Sequence, residues 1–232
     1  MIDLALVWVG IIGLGVLIYV IMDGFDLGIG ILFPFIQDHQ ERDVMMNTVA
    51  PVWDGNETWM VLGGAGLFAA FPLVYATVLS ALYLPITFMV VALIFRGVAF
   101  EFRFKATRTK HLWDQAFIWG SILSSFFQGV ILGAYIQGIE TTNGIYSGGA
   151  WDWLTPFSIF TGLGVVVMYA TLGCGWLIWK TEAKLQAHMY QFMPKLLIAL
   201  LLIFAGVSLY TPLTHSEIAN RWFTLPNVFY FS

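Results

Sequence analysis

The chain has 232 residues, of which 59% are hydrophobic and 10% charged, and its formal net charge is −4. That composition, with a strongly positive mean hydropathy, excludes an ordinary soluble globular domain and a nucleic-acid-binding protein, and points to a membrane protein. A single cysteine, Cys174, excludes a disulfide framework, a paired-cysteine metal site and c-type haem attachment.

The charge-free runs are 4–22, 58–95, 115–139, 153–179 and 196–214. A spanning helix needs about 20 apolar residues, so the run 58–95 is too long for one crossing. Phe71-Pro72 and the polar Tyr75, Thr77 and Ser80 predict a tight reversal near 75–78. The reading is six helices, roughly 4–22 (with room to continue to about 35), 57–75, 78–97, 115–138, 153–179 and 196–213. The first helix carries Asp3 instead of a basic leader and has no small-residue cleavage site before Asp23, so it reads as permanent and not as a signal peptide.

The segments after helices one, three and five hold Arg42, then Arg96, Arg103, Lys105, Arg108 and Lys110, then Lys180, Lys184 and Lys195, which is nine of the ten Lys and Arg. Only Arg221 falls on the other side. The positive-inside rule therefore predicts a cytoplasmic location for those segments and an external N-terminus. Gly-rich 143–150 reads as an external loop between helices four and five.

Four acids are the chemical candidates. Asp23 and Asp26, in Met22-Asp-Gly-Phe-Asp-Leu-Gly-Ile-Gly30, are three residues apart on one helical face near the end of helix one. They serve either interfacial water at a helix end or an ion or proton pathway, the default reading of intramembrane acids. Gly24 and Gly28 form a small-xxx-small spacing that allows close helix approach. Asp54 and Glu57 lie in Pro51-Val-Trp-Asp-Gly-Asn-Glu-Thr-Trp59, where the next span begins. Either they cap that helix as a capping-box-like pair or they act chemically. Trp53 and Trp59 suit interfacial anchors.

Phe95–Arg103 alternates charge with aromatic residues, which predicts a structural ion pair, Arg96–Glu101 or Arg103–Glu101. Asp114, beside Trp113, reads as a cap for helix four. His39, His111, His188 and His215 all sit in loops or at span ends, and Met60, Met89 and Met168 suit packing better than haem ligation. No metal site and no internal pair of axial ligands is evident, so a redox role requires a partner that carries the metal.

Asp23–Gly30, Pro51–Trp59 with its Gly-rich continuation to Pro72, Phe95–Arg103 and Trp113-Asp114 together resemble subunit II of the cytochrome bd-type quinol oxidases, including their cyanide-insensitive relatives. Beyond about residue 140 the resemblance rests on hydropathy. It implies an all-α integral membrane protein forming a heterodimer in the bacterial inner membrane. In that heterodimer subunit I carries haems b558, b595 and d, oxidises quinol and reduces oxygen to water. A structural quinone and a small accessory single-helix subunit occur with some such complexes. By the same resemblance Asp23, Asp26, Asp54 and Glu57 line a proton route, Trp59 borders an oxygen or haem access path, and this chain holds no catalytic residue. Family members carry eight or nine spans in two four-helix bundles plus a peripheral helix. Here residues 1–232 form a single transmembrane domain, one four-helix bundle with part of a second, expected to be incomplete at the C-terminus, where 222–228 reads as a loop into a further helix. The alternative from another class is an ion-coupled transporter or channel, although no matching pair of broken helices is visible.

Overall fold

A computed structural model describes residues 3–214, 216–225 and 227. The architecture is all-α: α1 (Leu4–Leu32), α2 (His39–Asn47), α3 (Trp53–Ala70), α4 (Pro72–Phe102), α5 (Lys110–Gln137), α6 (Pro156–Lys180), α7 (Ala183–Thr214) and α8 (Ser216–Phe223). A two-stranded hairpin, β1 (Thr141–Thr142) and β2 (Ile145–Tyr146), lies in the connection from α5 to α6. Its turn, Asn143-Gly144, takes positive φ at both residues, as a tight hairpin requires.

α1, α3, α4 and α5 pack in a closed ring, each against the next, while α6 packs on α1 and α5 and α7 packs on α6. This arrangement is a four-helix bundle with two further helices laid against it. Close approach between helices depends on glycine. A side chain at Gly28 of α1 would run into the Tyr169 carbonyl of α6, and Gly173 of α6 faces Gly28 in return. The expected small-xxx-small contact is therefore the α1–α6 seam.

Among the described residues five helices, α1, α4, α5, α6 and α7, are long and apolar enough to cross a bilayer. Six were expected. The sixth, α3, has 18 residues, about 27 Å of helix, and its first turns carry Asp54, Asn56 and Glu57.

The first helix takes its longer alternative. Asp3 caps it by accepting from the Ala5 amide, and it ends in a 3₁₀ turn, Phe33–Phe35. Asp23 and Asp26 therefore lie inside a continuous helix, not at its end. The tight reversal expected near 75–78 is instead a pair of bends. Phe71 breaks the chain between α3 and α4 with φ −135° and ψ 60°, and Leu82 kinks α4 three residues before Pro85. The second bend brings the end of α4 antiparallel to α3, so that Trp53 and Phe100 stack with centroids 4.8 Å apart.

Segment boundaries differ elsewhere too. The stretch read as a loop after helix one contains α2, capped by Asp38. α6 starts with a capping box between Thr155 and Ser158. α7 starts at Ala183, so Lys184 and Lys195 stand on a helix that continues through Pro194 and not in a connecting segment. α8 occupies part of the C-terminal stretch read as loop. His215, and residues 226 and 228 of that stretch, lie outside the described residues.

Candidate functional site: a buried charge cluster in the four-helix ring

At the centre of the ring is Arg96 of α4, with no side-chain exposure. Its Nη1 donates to Asp23 Oδ1 of α1 at 2.6 Å, and its Nη2 donates to Glu57 Oε2 of α3 at 2.5 Å. Asp23 is fully buried, whereas a quarter of the Glu57 side chain is exposed. Asp26, also fully buried, accepts from the Asn56 amide of α3 at 2.9 Å, and Asn56 reaches the Met22 carbonyl as well. The Trp53 ring lies 5.7 Å from the Arg96 guanidinium.

Helical spacing assembles the cluster. Asp23 and Asp26 share a face of α1, and Trp53, Asn56 and Glu57 share a face of α3 at i, i+3 and i+4. Arg96 approaches from the antiparallel helix opposite. Three carboxylates therefore surround one guanidinium. A buried charge in this setting persists only with a partner. Asp23 and Glu57 share the cation, while Asp26 is held by a neutral amide.

The cluster is open on one side. A cleft of about 430 Å³ between α3 and α4 is lined by Trp53, Asp54, Glu57, Met60, Leu93 and Gly97, among others. Asp54 is exposed at this cleft and Glu57 is half-buried behind it. The four predicted acids thus run from solvent inward in the order Asp54, Glu57, then Asp23 and Asp26. Trp59, half-buried on α3, does not line the cleft.

Several sequence expectations are corrected here. The N-cap of α3 is Val52, with no side-chain cap, so Asp54 and Glu57 form no capping box and the Glu57 carboxylate turns inward to Arg96. Neither Arg96 nor Arg103 pairs with Glu101, which is exposed and meets Lys105 at 3.5 Å. A helix end places residue 101 on the outer face, whereas 96 and 103, seven apart, share the inner one. Asp114 is no cap either. It is buried in the second turn of α5, accepting from Arg103 at 2.5 Å and Arg42 at 3.2 Å.

Arg103 is the hub of a second network. It also donates to Asp43 at 2.6 Å, and Lys110 reaches Asp43 at 3.0 Å, which ties α2 to the α4–α5 connection. Partial burial opposes ionisation of Asp43, but hydrogen bonds from Lys110 and Arg103 prevail and hold its carboxyl below the usual carboxylate range.

Sequence reading missed Asn56, Tyr19, Gln128 and Tyr169 and the true partners of Arg96. Tyr19 had one available signal: it precedes Asp23 by a single helical turn in an otherwise apolar stretch. Gln128 donates to the Tyr19 hydroxyl at 2.7 Å and accepts from Tyr169 at 2.7 Å. Among the described residues no group of His, Cys, Asp and Glu forms a metal-binding set. His39 and His111 are exposed at helix starts, and His188 meets Glu41 near the start of α7.

The family model for cytochrome bd terminal oxidase subunit II matches residues 4–231. Cytochrome bd-I ubiquinol oxidase subunit 2 of Escherichia coli (strain K12) is 34% identical over 190 residues, covering 78% of this chain and 50% of the relative. Probable cytochrome oxidase subunit 2 of Haemophilus influenzae is 33% identical over 201 residues, covering 82% and 53%. Cytochrome bd ubiquinol oxidase subunit 2 of Bacillus subtilis (strain 168) is 33% identical over 216 residues, covering 90% and 63%. The chain thus spans about half to two thirds of the length of these relatives. With five helices fit to span a bilayer, it is a multi-pass membrane protein, and it belongs to the cytochrome bd terminal oxidase subunit II family.

Proposed function

We propose that this chain serves as subunit II of a quinol:oxygen oxidoreductase in the bacterial inner membrane, as a single transmembrane domain beside a haem-bearing subunit I. Arg42, Lys105, Arg108, Lys110, Lys180 and Lys184, at or beside the α1–α3, α4–α5 and α6–α7 connections, support a cytoplasmic side for those connections and an external N-terminus. Family membership favours this reading over an ion-coupled transporter or channel. In this proposal haems b558, b595 and d belong to subunit I, together with quinol oxidation and oxygen reduction to water. Among the described histidines, His39 and His111 are exposed at helix starts and His188 is half-buried beside Glu41, an arrangement that favours haem ligation by the partner subunit. A structural quinone, a small accessory subunit and a role for Trp59 in oxygen access remain expectations from the family resemblance alone.

The single observation behind a working role is the inward gradient of carboxylates from exposed Asp54 through half-buried Glu57 to buried Asp23 and Asp26. Ionisable groups inside a membrane protein are costly, and their default reading is functional. Arg96 holds Asp23 and Glu57 as its partners, and Asp26, held by the Asn56 amide, is the member free to take up and release a proton. The cleft beside Asp54 supplies protons from the cytoplasm. The chain's own contribution is proton delivery towards the partner subunit.

The test is expression with the haem-bearing partner. Purification should yield a haem-containing complex with quinol-dependent oxygen consumption. The chain expressed alone should give no stoichiometric haem by pyridine haemochromogen, and haem bound tightly to it would overturn the assignment of the cofactors. Asp54→Asn and Asp54→Ala should lower turnover alike in assembled complexes, since neither side chain carries a proton. Wild-type turnover in Asn variants of Asp23, Asp26 and Asp54 would eliminate the proton route.

A further inference from the structure

Asn56 of α3, almost fully buried, turns the NH₂ of its amide onto α1. It donates to Asp26 Oδ2 at 2.9 Å and to the Met22 carbonyl at 3.4 Å. A backbone carbonyl can only accept, so the amide has one orientation here: turned over, its oxygen would face the Met22 oxygen. Met22 and Asp26 are four residues apart on α1, so this fork bridges one helical turn. Asp26 has no exposure, and its second oxygen, Oδ1, is buried without a hydrogen-bond partner among the described residues. The charged groups around Asp26 are Asp23 of α1, Glu57 of α3 and Arg96 of α4. Arg96 directs Nη1 to Asp23 and Nη2 to Glu57, which leaves Asn56 as the donor to Asp26 among the described residues.

We infer that Asn56 is a positioning residue for Asp26: it holds Oδ2 as an acceptor in both protonation states and so makes Oδ1 the oxygen that takes up and releases the proton. In a neutral carboxyl group the carbonyl oxygen is the better acceptor and the hydroxyl the poorer one. A fixed N–H at Oδ2 therefore keeps the carbonyl character there and the proton on Oδ1, where no described group competes for it. The O–H bond forms and breaks at Oδ1, and the amide neither gains nor loses a proton. Being neutral, Asn56 supplies its donor without adding a charge to the three carboxylates around Arg96. Its second contact, to the Met22 carbonyl, ties the amide to the backbone of α1, so the Asp26 carboxyl keeps its orientation as the proton comes and goes.

The effect of Asn56 on Asp26 follows from these hydrogen bonds, whereas its effect on turnover rests on the proton-delivery reading. The assembled complex is purified as wild type, Asn56→Leu, Asn56→Met and Asp26→Asn, with haem content as the check of assembly. Infrared spectra of ¹³C-aspartate-labelled complexes, recorded as pH is lowered, identify the C=O stretch of neutral Asp26 as the band lost in Asp26→Asn. A carbonyl that accepts a hydrogen bond vibrates at lower frequency, so this band should rise in frequency in Asn56→Leu. Asn56→Met, whose unbranched side chain fills the space differently, should raise it likewise and supplies the test if the leucine variant does not assemble. Turnover should fall about tenfold in both, the scale of one hydrogen bond to a charged group. A band at the wild-type frequency in either assembled variant would overturn the positioning role, as would the absence of a neutral Asp26 band at every pH at which the complex is intact. A raised band, with wild-type turnover in the Asn56 variants and in Asp26→Asn, would sustain the positioning role and count against proton delivery. An unmoved band with turnover lost in Asp26→Asn would do the reverse.

Discussion

Arg96→Gln is the perturbation most sharply defined by this structure. The guanidinium and the Asp23 carboxylate are both without solvent exposure and meet at 2.6 Å, while Glu57 retains a quarter of its side-chain exposure. Removing the cation leaves Asp23 buried and unpaired, a loss of about 3–5 kcal/mol for breaking a buried pair from one side. At about 2–4 °C per kcal/mol for a chain of this size, that corresponds to about 6–20 °C in the unfolding midpoint. Glu57 adds little to the loss, because its exposed quarter finds water. The substitution Asp23→Asn in the Arg96→Gln background removes the orphaned charge and should recover most of the stability, giving a coupling of about 2–3 kcal/mol. Glu57→Gln in the same background should recover far less. Thermal unfolding of the four variants in detergent measures the cycle. A loss under about 1 kcal/mol for Arg96→Gln, or simple additivity of Arg96→Gln and Asp23→Asn, would falsify the premise that this pair is desolvated and coupled.

At the α1–α6 seam, Gly28→Ala should cost about 1–3 kcal/mol by overpacking, since its methyl meets the Tyr169 carbonyl. Gly55→Ala, with open space around it, is the control and should be neutral or stabilising by up to about 1 kcal/mol; equal melting behaviour for the two would show a looser seam. Orientation is read by cysteine labelling with an impermeant reagent on intact cells: Asn143→Cys should react and Lys105→Cys and Lys184→Cys should not, and labelling of Lys105→Cys would reverse the topology. The Asp43 carboxyl is held below its usual range by Lys110 and Arg103 against the opposing effect of burial. Its folded value is depressed, so its contribution is complete above the unfolded value of about 4 and disappears as pH falls through the lower folded value. The stability gap between wild type and Asp43→Asn should therefore narrow between about pH 5 and pH 2, and a gap that widens on acidification would refute the sign.

The all-α membrane class and the approximate places of the helices were legible in the sequence because they follow from sums over local stretches. Long apolar runs must be helices where water is absent, since every backbone group has to be satisfied within the segment, and all the helices α1 and α3–α7 fall where those runs lie. The acids were legible for the same reason, as isolated costs in apolar surroundings, and Gly24 and Gly28 by their spacing. Their partners were not. Arg96 reads as a neighbour of Glu101 along the chain, yet it closes on Asp23, 73 residues away, and on Glu57, 39 away. Asp114 reads as a cap and is a bridge between two arginines. Ion pairing in a low-dielectric interior is decided by which side chains share a buried space, and that depends on the bends at Phe71 and Leu82, which turn α4 back along α3. Gln128 shows the limit most clearly. In the sequence it is one polar residue in an apolar helix, and only the packing of α1, α5 and α6 sets its amide between two tyrosine hydroxyls.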